Sequence, residues 1–350
     1  MYRIGLIGNR AHQNVYGPIW KKRSDCVIVA AAEHNPQKAK GLSDLYGINV
    51  VSDYDAVIED PEVDIVSICT DFYLKRSLIN KAVSCGKHVL VDKSIGRTVA
   101  EAKAIFEAVS QTQVKVVLAY PMRFMPPMMR LKRAIEIGEY GRIVAYAHNS
   151  LKQFKGDLMA YVSYPTPARQ NGGGELMNLG SHVVDYLFWQ FGMPKRIFCH
   201  MQNAFFEAYQ IYGTEDIAML CCEYDKMTAT LTVGRTTARD RDGMVDVVQV
   251  NGEGVWVQVS RTGYLVNGRE IEDIEDIPET GTAGCVQHLI DCIEQGCSPT
   301  TGIHNALAVA QIKTAAYQSA QTGQFVSLPL KDERHPLIDA NEQVLDILLD

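Results

Sequence analysis

The feature that most restricts this chain is an alternation running through its first third. Short apolar runs, RIGLIG, CVIVAAAE, VDIVSICT, KHVLVDK and VKVVLAY, are separated by amphipathic stretches such as NPQKAKGLSDLYG, SLINKAVSCG and TVAEAKAIFEAVSQT. Strands that are apolar on both faces need cover on both faces, and helices between successive strands of a parallel sheet supply it. Residues 1–120 are therefore expected to form a doubly wound α/β domain of the Rossmann kind. After Tyr120 the pattern changes. A helix over PPMMRLKRAIEIGEYG is followed by RIVAYAHNS, IAMLCCEY, MTATLTVGR, VDVVQVNG and GVWVQVS, with turn residues between them. That spacing reads as a mostly antiparallel sheet. One helix, GGGELMNLGSHVVDYLFWQFG, lies among these strands, and CVQHLIDCIEQG and HNALAVAQIKTAAYQSAQTG follow them. Residues 121–350 are assigned to this second, α+β domain with an open sheet.

Composition narrows the partners. The chain has 350 residues, 47% hydrophobic, enough for two cores. Its net charge is -7, with Lys and Arg spread along it, so no basic stripe suits a nucleic-acid backbone. No apolar run approaches the ~18 to 20 residues of a membrane span, and a strand starting at residue 2 leaves no room for a leader. The nine cysteines include no C-x-x-C pair and fit free thiols of a reducing compartment. A cytoplasmic location is expected, and no metal site is assigned. Apolar positions in VDVVQVNG, GVWVQVS and MTATLTVGR outnumber those of one covered face, which points to a homodimer or homotetramer.

The first candidate site is GLIGNRAHQ, where an apolar strand runs into Gly8. A dinucleotide-binding turn reads G-x-G-x-x-G, its second glycine admitting a pyrophosphate and its third letting helix pack on strand. Here those positions hold Arg10 and Gln13. The backbone N–H groups at the start of the next helix still suit a pyrophosphate, and Arg10 adds positive charge. At the end of the second strand stands Glu33, placed to accept hydrogen bonds from an adenosine ribose. A carboxylate there repels a 2′-phosphate, which favours NAD over NADP. The same residue also reads as an ordinary solvated acid.

Taken in order, IGLIG, AEHNPQKA, VDIVSICTD, CGKHVLVDKS, YPMRFMP, GGGELMNLGSHVVD, EDIAML, HLIDCIEQG and AAYQSAQTG resemble the Gfo/Idh/MocA oxidoreductases, from Tyr2 to about Leu330. The family's first turn reads like G-x-G-x-I-A-x-x-H-x-x-P. Aligning Pro18 with its proline makes GNRAHQNVYGP one residue shorter. The resemblance implies hydride transfer between NAD and a secondary hydroxyl of a sugar, sugar derivative or cyclitol. It places Gly8, Asn9, Arg10, Glu33, Asp92 and Lys93 at the cofactor. It adds Thr70, Asp71, Phe72 and Lys75, whose TDFYLK stands where T-P-N-x-x-H is usual.

Lys93 ends a strand at the carboxyl edge of the parallel sheet, where such sheets bind ligands. The family's EKP reads DKS here, and its lysine contacts hydroxyl and nicotinamide ribose. Without the resemblance, Lys93 reads as a surface charge. Asn178, His182 and Asp185 share a helical face at i, i+4 and i+7. A histidine so placed is either a core residue or a base. The resemblance, D-x-G-x-H-x-x-D, makes His182 the acid/base group. Asn178 replaces the usual aspartate and becomes a positioning group, while Asp185 is read as structural. An uncharged Asn178 leaves His182 without a local anion. Substrate contacts are assigned to Lys93, Tyr120, Arg123, Lys152, Tyr161, Tyr164, Arg169, Asn178 and His182. Lys152, Lys155 and Arg169 suit a phosphate or carboxylate, and equally suit a solvated surface. Two other function classes stay open: an NAD-dependent glycosidase on the same fold, and a sugar or nucleotide sensor without turnover.

Overall fold

The structure is a computed structural model that describes residues 1–10, 12–154, 171–237, 246–272, 274, 275 and 277–338. It divides into two compact units. The first comprises Met1–Gly96, Ala100–Pro121 and Gly281–Leu307, and the second comprises Arg97–Val99, Met122–Thr280 and Ala308–Asp350.

In the first unit, strands β1 (Tyr2–Ile7), β2 (Cys26–Ala32), β3 (Val50–Val51), β4 (Ile65–Ile68), β5 (His88–Asp92) and β6 (Val116–Ala119) form one sheet. The order is β3-β2-β1-β4-β5-β6 and every pair is parallel. The unbroken apolar runs account for this, since β4 and β6 are buried at every position. Helices α1 (Gln13–Lys22), α2 (Pro36–Tyr46), α3 (Tyr54–Ile58), α4 (Phe72–Ser84) and α5 (Val99–Ser110) connect the strands. Local chemistry sets their ends. The Asn35 side chain accepts the Gln37 and Lys38 N–H groups at the start of α2, with Pro36 already at a helical φ, and Gly47 closes the helix in the left-handed conformation.

Helix α1 starts at Gln13 and carries Pro18 inside it, so the proline removes one internal hydrogen bond without ending the helix. The helix Gly281–Gln295 belongs to the first unit, not to the second domain. It packs against β6 and α1, and Gln287 accepts a hydrogen bond from Arg23 at 2.7 Å. Chain order hid this return.

The second unit holds strands β7 (Ala145–Gln153), β8 (Arg196–Gln202), β9 (Ile217–Glu223), β10 (Thr228–Thr236), β11 (Val247–Gly252), β12 (Val255–Val259), β13 (Tyr264–Val266), β14 (Arg269–Glu270) and β15 (Val326–Ser327). Their order is β14-β13-β12-β11-β7-β10-β9-β8-β15, antiparallel except for β7 with β10. Alternation sets the two faces. Ala229, Leu231 and Val233 of β10 are buried while Thr228 and Thr230 are exposed, and the helix Gly180–Phe191 covers the inner face. Among the described residues, no helix is long and apolar enough to cross a membrane.

His148 lies on that inner face, 1% exposed. Tyr146 Oη is 3.3 Å from its Nδ1 and Asp246 Oδ1 is 4.0 Å from its Nε2. Burial pulls its pKa down to about 4 against the attraction of Asp246. Between pH 6.5 and 4 the unfolded chain takes up a proton that the folded chain refuses, so stability falls as pH falls through that window. Denaturant unfolding at pH 7 and pH 4.5 should show a loss of about 2.5 kcal/mol from this group. His148→Gln should reduce the loss, and an identical loss in both proteins would exclude His148 as its source.

Candidate active site

Within the first unit, one candidate cluster is built at the carboxyl edge of the parallel sheet, where β1 and β4 lie side by side and the strand order reverses. Gly8 leaves β1 with φ 74°, and a Cβ there would lie 2.7 Å from both the Cys69 carbonyl oxygen and Thr70 Cγ2. Only glycine fits. The turn that follows does without two further glycines by using side chains. Gln13, at the position of the third glycine, is fully buried. Its Nε2 donates to the Ser67 carbonyl at 3.1 Å and its Oε1 accepts from Ser67 Oγ at 3.2 Å, tying α1 to β4. Arg10, at the position of the second, is buried with Nη1 2.6 Å from Asp71 Oδ1 and its guanidinium 5.4 Å from the Phe72 ring centre. Its charge is therefore shared with Asp71, a correction to its reading as a simple added cation. The Thr70 hydroxyl donates to the Asp71 carbonyl at 3.3 Å.

Glu33 is buried, not solvated. Its Oε2 accepts the Asn9 N–H at 2.5 Å and its Oε1 accepts the Asn35 N–H at 2.8 Å. The carboxylate thus holds the turn and the start of α2 together. Each oxygen retains a second acceptor direction for a ribose hydroxyl.

Two residues assigned to the cofactor act differently. Lys75 is fully buried, and its ammonium donates to the carbonyls of Asp92 (2.5 Å), Lys93 (3.0 Å) and Ser94 (2.9 Å). It also lies 4.5 Å from the Phe72 ring centre. Burial pulls its pKa down to about 7, with Asp92 opposing. The Asp92 carboxylate faces α1, where Oδ1 accepts from Tyr16 Oη and Oδ2 pairs with His12 Nδ1, each at 3.0 Å. Burial alone would raise its pKa, but His12, Lys75 and Lys93 hold it well below the usual carboxylate range. Lys75 and Asp92 therefore position the segment that carries Lys93 rather than line a ligand. Lys93 is itself 1% exposed, so it is not a solvated surface charge, and Tyr120 after β6 is equally buried.

A separate cluster, within the second unit, lies on the helical segment after the glycine run. A Cβ on Gly174 would meet the Glu215 carbonyl oxygen at 1.9 Å. This close passage lets Glu215 take the Gly174 and Leu176 N–H groups (3.0 and 2.8 Å) and the Tyr317 hydroxyl (2.8 Å). Burial pushes its pKa up to about 7 while these bonds oppose the rise. Between Gly174 and Leu176 in the chain Glu175, fully buried, receives Asn178 Nδ2 on both oxygens at 3.1 Å, Tyr209 Oη at 2.5 Å and Arg235 Nε at 3.3 Å. With Nδ2 committed to Glu175, the acceptor Oδ1 is the end of the amide turned away from it. The segment therefore does hold a carboxylate, one turn before Asn178, contrary to the reading that the substitution removed it.

His182 follows one turn later, partly exposed. Asp185 forms a two-point pair with Arg123, Nε to Oδ2 at 2.7 Å and Nη2 to Oδ1 at 2.6 Å, with Arg123 also 5.3 Å from the Trp189 ring centre. Asp185 is structural, as expected. Arg123 is corrected from a substrate contact to the partner that holds this helix. Lys152 lies near the end of β7, partly buried. Tyr161, Tyr164 and Arg169, with Lys155, lie outside the described residues. Sequence reasoning named Gln13 only as the residue in a glycine's place and missed His12, Glu175, Tyr209 and Arg235. Only the motif neighbours Glu175 and His12 carried a signal.

The arrangement is that of a dinucleotide-binding fold: a Rossmann sheet, a glycine turn at its switch point, an acid after β2 and a lysine after β5. Residues 2–120 match the family model described as "Oxidoreductase family, NAD-binding Rossmann fold", and residues 128–257 match the "GFO/IDH/MocA C-terminal domain". The chain belongs to the Gfo/Idh/MocA family. It is 30% identical over 200 residues to a levoglucosan dehydrogenase of Pseudarthrobacter phenanthrenivorans, a match covering 54% of this chain and about half, 51%, of that protein. It is 26% identical over 287 residues to scyllo-inositol 2-dehydrogenase (NAD(+)) of Bacillus subtilis, covering 79% of this chain and 80% of that one. The structure of a levoglucosan dehydrogenase in complex with NADH superposes with a TM-score of 0.80 at 22% identity, covering 94% of this chain and 99% of the other, which shows the shared fold.

The residues fit NAD. Gly8 leaves a cradle that any Cβ would fill, and the buried Glu33 carboxylate has acceptor capacity for a ribose but would oppose a 2′-phosphate. Titration should show tighter binding of NADH than NADPH, and Glu33→Ser should narrow the difference by roughly tenfold, about 1.4 kcal/mol. Tighter NADPH binding by the unaltered protein would contradict the assignment.

Proposed function

We propose that this protein is an NAD-dependent dehydrogenase acting on a secondary hydroxyl of a sugar, sugar derivative or cyclitol. The observation that carries the reading is the Lys75 ammonium held by three consecutive carbonyls, which fixes the segment bearing Lys93 at the ligand-binding edge of the sheet. The names of the levoglucosan and inositol dehydrogenases among its relatives support the substrate class.

The residues divide the work. His182 accepts the hydroxyl proton as the general base. The Lys93 ammonium stabilises the developing alkoxide, an interaction that strengthens as water is excluded from its buried position. Asn178, clamped through Nδ2 by Glu175, presents an acceptor that orients a hydroxyl. The bound nicotinamide supplies the hydride acceptor. Gly8, Asn9 and the first turn of α1 hold the pyrophosphate, with Thr70 and Phe72 on the neighbouring loop.

We also infer a cytoplasmic homodimer or homotetramer joined through the outer face of the nine-stranded sheet. That face is not apolar throughout, as the sequence pattern suggested, but its centre is largely uncharged. Thr230, Thr232, Ala147, Asn149, Gln249 and Gln258 share it with the exposed Met219 and Trp256. Light scattering at micromolar concentration should give a dimer or larger, and a monomer would remove this inference.

With a sugar panel and NADH absorbance as the assay, His182→Ala should lower turnover by roughly 10²- to 10⁴-fold while NADH binding stays near normal. Lys93→Met should lower turnover and weaken substrate binding. Glu175→Gln, which leaves the Asn178 amide without its anionic clamp, should lower turnover by about tenfold, roughly one charge-assisted hydrogen bond. Unchanged turnover in His182→Ala would place the base elsewhere.

A further inference from the structure

The covered face of the second sheet carries more positive than negative charge at one end. On β7, Tyr146 and His148 face the helix Gly180–Phe191, through ring contacts to Phe191 and Tyr186. Two-residue periodicity puts Ser150 and Lys152 on the same face. In the parallel register with β10, Lys152 stands opposite Arg235. Arg261, just beyond β12, completes a group of three cations. Two carboxylates meet them, and both are engaged. Glu175 pairs with Arg235 and holds Asn178. Asp246 pairs with Arg261 through Oδ2 (2.6 Å to Nε), and its Oδ1 accepts the Ser150 hydroxyl.

Lys152 is left over. Its ammonium has no hydrogen bond or ion pair among the described residues. It is partly buried, and desolvation draws its pKa down, with Asp246 opposing and Arg261 and Arg235 adding to the fall. A cation withdrawn from water without a partner is unfavourable and becomes favourable when an anion joins it. Arg235, its neighbour in the strand register, is bonded through Glu175 to Asn178, the group assigned to orient the reacting hydroxyl.

We propose that Lys152 is the anion subsite of the substrate pocket, so that the hydroxyl presented to Asn178 and His182 belongs to a sugar acid or polyol acid whose carboxylate pairs with the Lys152 ammonium. The proposal rests on the dehydrogenase reading and adds the substrate class. Among the described residues the group carries one positive charge more than its two carboxylates balance, which matches a carboxylate better than a phosphate dianion, since a dianion would leave an excess negative charge beside Asp246 and Glu175.

The test compares matched sugars with NAD in excess: glucose with glucuronate and glucose 6-phosphate, and galactose with galacturonate. The uronates should exceed their neutral partners in kcat/KM by tenfold or more. Lys152→Met should collapse that ratio at least tenfold, mainly through KM, and Lys152→Arg should restore most of it. Preference for a neutral sugar or for the phosphate overturns the carboxylate subsite while leaving the dehydrogenase standing, and so does a ratio unchanged in Lys152→Met. Should no sugar yield NADH, the dehydrogenase reading fails instead. Calorimetric titration of glucuronate into the NADH-loaded protein then decides the subsite, which is upheld by weaker binding to Lys152→Met and overturned by equal binding.

Discussion

The candidate chemistry depends most on the ammonium of Lys75 with the carbonyls of Asp92, Lys93 and Ser94. A buried ammonium must satisfy its three donors, and three successive carbonyls at the end of a strand accept them. Phe72 lies against the same ammonium and against Arg10, and Asp92 turns its carboxylate to His12 and Tyr16 on α1. The glycine turn, the start of α4 and the lysine segment are thereby held by one connected polar network rather than by a repeated glycine motif.

The second unit uses the same device with the charges reversed. Glu215 collects the first N–H groups of the helical segment after the glycine run, and Glu175 collects Asn178, Tyr209 and Arg235. Buried carboxylates are tolerated because nearly every acceptor direction is filled. They fix a helix whose His182 would otherwise sit on a short, glycine-flanked turn. Arg123 and Asp185 lock the same helix one turn further on.

Much of this was legible in the sequence. Strand apolarity gave the parallel sheet and alternation gave the antiparallel one, because both patterns follow from which faces are covered. Gly8 and Glu33 were recognisable because a switch-point turn needs a left-handed glycine and a following acid. Asp185 was correctly read as structural. The errors share one cause. Arg123, Lys75 and Asp92 are charged residues next to a motif, and sequence cannot show whether a charge faces a ligand or a partner 62 residues away, as Asp185 is from Arg123. The return of the helix Gly281–Gln295 to the first unit was hidden for the same reason. Its apolar stripe says that it packs, but not on what.

The central claim is that the protein moves hydride from a carbinol carbon to nicotinamide. The most direct measurement incubates the full chain with NAD and sugars or sugar acids deuterated at every carbon, then weighs the reduced cofactor by mass spectrometry. The account predicts NADH carrying one deuterium, formed in step with oxidised sugar. Deuterium lost from the sugar to water with no accumulation of NADH would contradict it and point to the transient oxidation of a glycosidase.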